Sequence, residues 1–333
     1  DEFFEKNYHL MSDSFKEIIA REMGIQSWQA ERVIRFLKEG ASIPFMARYR
    51  KEMTGGLDEV QLADVRDHLE RLEELEKRRR YILETIDSQG KLSPELKKAI
   101  LEVTTLNELE DIYLPYKPKR RTRASVAREM GLEALAGWLM KQHPGLDTDQ
   151  GAAEFIHAGK GVHTAQEALA GARDIMAEWI SENIQARRRI RSLYERRAML
   201  RAKPAAKQQE EHKYTDYLDW SEPAAKAPSH RILAMFRAEQ EGFLKLSVSP
   251  EKEEVAEMLL RFFVRGSSAS SEQVIMAVHD ACQRLLMPSM ENEWRQRLKA
   301  RADQAAIEIF AANLRQLLLA PPLGARRILA IDP

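Results

Sequence analysis

The chain has 333 residues, with 52 Lys and Arg against 52 Asp and Glu, so it carries no formal net charge and is no polycation as a whole. Any affinity for nucleic acid must therefore come from local segregation of charge. With 44% hydrophobic residues, 31% charged residues and only 15 glycines, the composition describes a helix-rich globular protein of two or three domains. No stretch approaches the roughly eighteen uninterrupted apolar residues of a membrane span, so no membrane partner is expected.

Residues 1–10 read as an upstream extension ahead of Met11. Residues 14–38 give the first recognisable unit. Ser14 and Glu17 make a capping box, Ile18, Ile19 and Met23 follow at helical spacing, and Gly24 suits a left-handed turn. Ser27 is placed to cap a second helix carrying Trp28, Val33, Ile34 and Leu37. The pattern is a helix-turn-helix with Gln29, Arg32 and Arg35 available to a groove of DNA. A related turn recurs at 127–132 (AREMGL against AREMGI at 20–25), but an apolar helix follows it and it reads as a packing unit.

Residues 43–58, IPFMARYRKEMTGGLD, place Pro44 in the first turn of a short helix that Gly55 and Gly56 end. Arg48, Arg50 and Lys51 cluster beside Tyr49, either facing phosphates or anchored on neighbouring acids. Asp58 caps a helix predicted to run to about Asp87, roughly 45 Å long. Leu62, Val65, Leu69, Leu72, Leu83 and Ile86 form one stripe along it, interrupted by Glu76 and Arg79, with Leu75 and Ile82 alongside. Gly90 and the Ser93-Pro94-Glu95 start signal predict a helical hairpin, and Thr105 with Glu108 caps the next helix.

LEDIYLPYKPKRRTR at 109–123 should end that helix near Leu114, because Pro115 and Pro118 favour extended backbone before them. The arm that follows carries Lys117, Lys119, Arg120, Arg121 and Arg123, with Tyr116 available for stacking. Such a segment tracks a phosphate backbone. The alternative is a solvated loop whose arginines pair with acidic helices. Further on, 186–203 gathers Arg187, Arg188 and Arg191 with other cations around an apolar stripe of Ile190, Leu193, Tyr194 and Leu200. It reads as one helix and as a second phosphate-contact surface, or as a charged exterior.

Residues 203–209 read as a hinge, FLKLSV at 243–248 as a strand, and 266–271 as a flexible break before a long helix to about Leu319. The single cysteine, Cys282, excludes an internal disulfide framework and fits a reducing cytoplasm. Its helical neighbours Val274, Val278 and Leu285 mark it as a buried thiol. RRILAID at 326–332 has the form of a strand start. The fold class is predominantly all-α, with helix-turn-helix-like units, long hairpins and minor strands. The expected domains are a helical region 11–203, a central helical region 204–325 and the strand start 326–333. The histidines show no metal spacing, Gly159-Lys160-Gly161 lacks the rest of a phosphate loop, and no nucleophile motif occurs. No metal, cofactor or catalysis is expected.

The stretches 43–58 and 109–123, PSHRILAMFRAEQEGFL at 228–244 and NLRQLLLAPPLGARRILAIDP at 313–333 together resemble the bacterial Tex family. These are transcription accessory proteins related to eukaryotic transcription elongation factors. The resemblance spans nearly all of 11–333 and implies a helical N-terminal region with helix-turn-helix character. In the family an RNase-H-like domain, helix-hairpin-helix units and an OB-type RNA-binding module follow, and this chain would stop where the first of these begins. The resemblance implies a non-catalytic scaffold that contacts RNA or DNA through phosphates. A docking scaffold for RNA polymerase is the other function it implies.

Overall fold

The computed structural model describes residues 15–118, 121–145, 147–205 and 214–320, together with Arg327 and Leu329. These fall into two compact units, Asp1–Lys117 and Pro118–Pro333. The all-α expectation holds for the described residues, with one small antiparallel sheet in the second unit.

In the first unit, α1 (15–23) and α2 (Ser27–Lys38) turn at Gly24, whose φ of 66° glycine adopts without penalty. Ser14 lies outside the described residues, and Ser27 is inside α2 rather than its cap. Gln26 precedes it, donating its N–H to Gln29 Oε1 at 2.9 Å. After α3 (Ile43–Tyr49), Asp58 caps α4 (Glu59–Ser88) as predicted, accepting from the Gln61 N–H at 2.8 Å. Leu62, Val65, Leu69 and Leu72 close a core with Ile19, Val33, Ile34 and Met46.

Beyond Leu72 the seam slips by one position, so Leu75, Ile82 and Ile86 are buried and Leu83 only half so. A straight helix of 3.6 residues per turn drifts from a heptad stripe by about 20° per repeat. Glu76 and Arg79, the interruptions, pair with each other, their side chains each 12% exposed. Arg79 also donates to the carbonyls of Ile100, 3.2 Å from Nε, and Val103, 2.5 Å from Nη2. That places a cation at the carbonyl end of α5 (Pro94–Glu102), where the helix dipole favours it. The predicted hairpin is thus closed by charge as well as by apolar contact. It leads into α6 (Leu106–Tyr113).

The second unit opens with α7 (Arg123–Glu129), α8 (Glu133–Met140) and α9 (Thr148–Ala153), all packed on α10 (Ala165–Glu182). Gly171 lets them come close, since a Cβ there would stand 2.4 Å from Leu132 Cδ1. Then come α11 (Ile184–Arg197), β1 (Met199–Pro204), β2 (Trp220–Pro223), α12 (Ser229–Gln240), β3 (Leu244–Ser249) and α13 (Lys252–Phe263). Finally α14 (Ala269–Asp280) passes through a π-helical turn, Ala281–Leu286, into α15 (Met287–Leu319). Pro288, which has no N–H for the preceding turn, accounts for that wider stretch.

The sheet corrects one expectation. Its strand order is β2-β1-β3, and Leu200, expected on a helix, sits on the buried face of β1. Lys203, beside the expected domain boundary, pairs with Lys245 of β3. The outer edge of β3 is covered by side chains. Glu239 takes the Leu246 N–H at 3.0 Å, Arg295 donates to the Leu246 carbonyl at 3.0 Å, and Glu291 takes the Val248 N–H at 2.9 Å. Such cover keeps an edge from pairing with another chain.

The break expected at 266–271 is instead tightly bonded. Ser268 caps α14, Ser270 and Ser271 are fully buried, and the Ser271 hydroxyl donates to the Arg265 carbonyl at 2.8 Å. Gln142 bridges the same turn, donating to the Phe263 carbonyl at 2.9 Å and accepting from the Arg265 N–H at 2.7 Å. Most of the hinge expected at 203–209 and of the strand start at 326–332 lies outside the described residues. Arg327 and Leu329 are exposed.

Replacing Arg79 with methionine should leave Glu76 buried without its partner and lower stability by roughly 3 kcal/mol in denaturant unfolding. Adding Glu76→Leu should recover part of that loss; recovery of none would place the effect on the freed carbonyls alone.

Candidate nucleic-acid interface

α3 is short, and its geometry is set from three sides. Ser42 accepts the Phe45 N–H at 3.4 Å, Pro44 pre-sets the first turn, and Met46 is fully buried beneath. At the other end the buried Thr54 hydroxyl lies 3.3 Å from the Arg50 carbonyl and 3.1 Å from that of Lys51. Gly55 follows with φ of 70° and touches α2, where an added Cβ would meet Trp28 Cη2 at 2.5 Å.

This fixes the backbone and leaves the side chains outside. Arg48, Arg50 and Lys51 are exposed, and none has a carboxylate partner among the described residues. Phe45 and Tyr49, one helical turn apart, bring their rings to 5.5 Å and are 41% and 69% exposed. The Arg50 guanidinium lies 5.5 Å from the Phe45 ring centre. Anchoring on acids, the alternative for this cluster, does not occur among the described residues. Trp28, expected in the core stripe of α2, is 46% exposed instead. Its indole takes Arg32 at 5.4 Å.

The helix-turn-helix presents no free reading face at the start of α2. Gln29 donates to the Thr54 and Gly55 carbonyls at 3.3 and 3.2 Å, and Arg32 to the Met53 carbonyl at 3.1 Å. Base readout needs polar side chains there to be available. Arg35 points along the helix to Glu39 at 3.8 Å.

The arm is shorter than predicted. α6 ends at Tyr113 as expected, but the N–H groups of Tyr116 and Lys117 both fold back to the Tyr113 carbonyl, at 2.9 and 3.0 Å. Arg123 is already the first residue of α7, which Thr122 caps. Lys117 is exposed in the first unit, and Tyr116 is half-buried. In the second unit, Arg121 and Arg123 are exposed, Arg121 lying 3.8 Å from the equally exposed Glu129. A pair so solvated holds its arginine only weakly. Burial lifts the Asp174 carboxyl above its usual range, with Arg284 and Arg123 opposing the shift. Lys119 and Arg120 lie outside the described residues.

Two of the arginines expected at a surface on α11, Arg187 and Arg191, turn inward, whereas Arg188, Arg189, Arg196 and Arg197 are exposed. Arg187 is 7% exposed, donating to the Ser181 carbonyl and Ser289 Oγ, each at 3.3 Å. Arg191 pairs with Glu293 at 2.8 Å, and Arg189 lies 4.5 Å over Phe262. Arg188 is exposed and has an interaction of its own. Arg187 and Arg191 are positioned to hold α11 against α15, not to meet phosphates. Cys282 is buried, and that burial pushes its thiol up to about 11, which keeps it protonated and unreactive near neutrality.

Residues 143–310 match the family described as Tex central region-like, and residues 13–87 match the Tex-like protein N-terminal domain. The chain belongs to the Tex family. "Protein YhgF" of Escherichia coli is 40% identical over 97% of this chain and 43% of its own length. The "Transcriptional accessory protein Tex" of Neisseria gonorrhoeae is 37% identical over 95% of this chain and 42% of its own. A human relative, "S1 RNA-binding domain-containing protein 1", is 29% identical over 95% of this chain and 33% of its own. The chain thus spans less than half the length of these relatives. The α3 face lies within the matched N-terminal region, whereas the basic arm falls between the two matched regions.

Replacing Thr54 with valine should cost about 1 kcal/mol, because the Arg50 and Lys51 carbonyls keep the Thr54 and Gly56 N–H groups but lose the hydroxyl as a further donor. Urea unfolding checks this. An unchanged midpoint would mean that Thr54 does not hold the 50–56 turn.

Proposed function

We propose that this chain is a non-catalytic scaffold of a transcription accessory factor and that its α3 face contacts nucleic-acid phosphates. The observation that carries the reading is the set Arg48, Arg50 and Lys51, exposed and without carboxylate partners among the described residues, around the open rings of Phe45 and Tyr49. Cations at phosphates release condensed counterions, and an exposed ring stacks a base for about 1–3 kcal/mol whatever its identity. The expected partner is RNA or DNA, bound with little sequence preference. Lys117, Arg121 and Arg123 of the arm add further positive charge.

The relatives named for transcription and for an S1 RNA-binding domain support this role. A cytoplasmic setting is part of the same proposal and agrees with one buried free cysteine. No helix among the described residues is long and apolar enough to cross a membrane.

A second reading, docking of RNA polymerase or another protein, is favoured by the far end of α15. Ile307, Phe310, Leu314 and Leu317 recur at heptad-like spacing there and are 61%, 66%, 41% and 73% exposed.

Salt-titrated binding of a single-stranded RNA and a DNA duplex separates the two. Arg48→Ala, Arg50→Ala and Lys51→Ala together should weaken both nucleic acids across sequences and flatten the dependence of log affinity on log salt by up to about 0.7–0.9 per lost contact. Thermal stability should stay within a degree or two. Unchanged nucleic-acid affinity, with polymerase binding lost on Phe310→Glu, would replace the first reading with the second.

A further inference from the structure

The sheet of the second unit has a buried face and a solvent face, and the solvent face carries lysines with no partner among the described residues. The pairing of β1 with β3 sets Arg201 opposite Ser247 and Lys203 opposite Lys245. Directly opposed like charges on neighbouring strands repel and destabilise the ladder. Neither lysine has a partner among the described residues, and neither does Lys252 at the start of α13 nearby. All three are exposed.

They line one groove of about 870 Å³, bounded by this face, the start of α13 and the π-helical turn into α15. That volume suits a ligand of nucleotide size or larger and far exceeds a lone anion. Carboxylates also line the groove, but two are already engaged. Glu251 pairs with Arg201, which donates to the Ser249 carbonyl at 3.0 Å, and Glu291 accepts the Val248 N–H. Glu253 is the remaining acid, exposed beside Lys252. Two of the three acids lining the groove thus hold an arginine and a strand edge, which leaves Glu253 alone to three lysines.

Along β1, Arg201 and Lys203 stand two residues apart on one face, roughly 6.7 Å at strand rise. That is on the scale of successive phosphates in an extended strand. Ser247 and Ser249 add hydroxyls from β3 on the same face. We infer that this groove is a second phosphate site, which takes the backbone of a single nucleic-acid strand between the sheet and α13. The inference rests on the nucleic-acid reading above and moves its second contact surface from α11 to the sheet. The shared chemistry is a chain of phosphates, so free polyphosphate is the other source.

Lysine-labelling footprints of the whole chain, read by mass spectrometry, test this with a single-stranded oligouridine and with inorganic tripolyphosphate. The oligonucleotide should protect Lys203, Lys245 and Lys252 at least threefold, with tripolyphosphate protecting them less. Combining Lys203→Gln, Lys245→Gln and Lys252→Gln should weaken oligonucleotide binding about tenfold and reduce the salt slope by up to about 2. The same variant should melt no lower than the parent, because the opposed lysines repel. Protection by tripolyphosphate alone would overturn the nucleic-acid occupant. Absence of protection by either probe, or unchanged affinity of the variant, would overturn the groove. Lys51, footprinted in the same sample, reports the α3 face separately, so the two readings can fail independently.

Discussion

Arg79 lies between the carboxylate of Glu76 and the carbonyls that end α5, and this arrangement recurs throughout the chain. Arg295 joins Glu239 to the Leu246 carbonyl, and Arg201 joins Glu251 to that of Ser249. Arg301 reaches the carbonyls of Ala224, Ala225 and Ala227. A helix-rich protein with one small sheet has many backbone groups at helix ends and strand edges that secondary structure leaves unpaired. The guanidinium suits this need, since its planar fork offers several donors in fixed directions and stays charged when desolvated. Lysine, a strongly hydrated point charge, does not. This is why the edge of β3 is joined to the long helix α15 by arginine and glutamate, beside the apolar core that Leu246 and Val248 share with Met290 and Trp294.

That division of labour explains both what could be read from the sequence and what could not. The capping residue Asp58, the hairpin closed by α5 and the Leu62–Leu72 stripe follow from contacts a few residues apart, and they stand where the pattern places them. Leu83 was misplaced because a heptad was followed past the point where a straight helix keeps it. The fate of the arginines in α11 was not legible at all. Arg187, Arg188 and Arg191 look alike in sequence, and what separates them is Ser289 and Glu293, about a hundred residues downstream. β1 was hidden for a similar reason. Arg201 and Lys203 continue the basic run of α11 after Ala198, Met199 and Leu200, so only strand pairing distinguishes strand from helix.

The candidate surfaces were legible to different degrees for the same cause. Arg48, Arg50 and Lys51 were visible as a cluster, but their lack of ion pairs among the described residues, even with the adjacent Glu52, was not, because it depends on what α2 and the 53–55 turn do nearby. Trp28 reads as an ordinary core residue until Gly55, pressed against the indole, shows that α2 meets the turn at its edge. In the groove, Lys203 and Lys245 are forty-two residues apart in sequence and meet only through register.

A helix as short as α3 has no stability of its own, since nucleation costs more than so few hydrogen bonds return. Its face is therefore only as ordered as Met46 beneath it, Ser42 before it and Thr54 after it make it. The charge on that face is matched elsewhere, because the chain as a whole is neutral. Screening over about 8–10 Å at ordinary ionic strength means that acids farther away barely cancel it. A polyanion approaching the α3 face therefore meets Arg48, Arg50 and Lys51 as a local positive field, although the molecule that carries them has no net charge. For such a field, the spacing of the cations matters more than their number, and that spacing is set by the buried neighbours of α3.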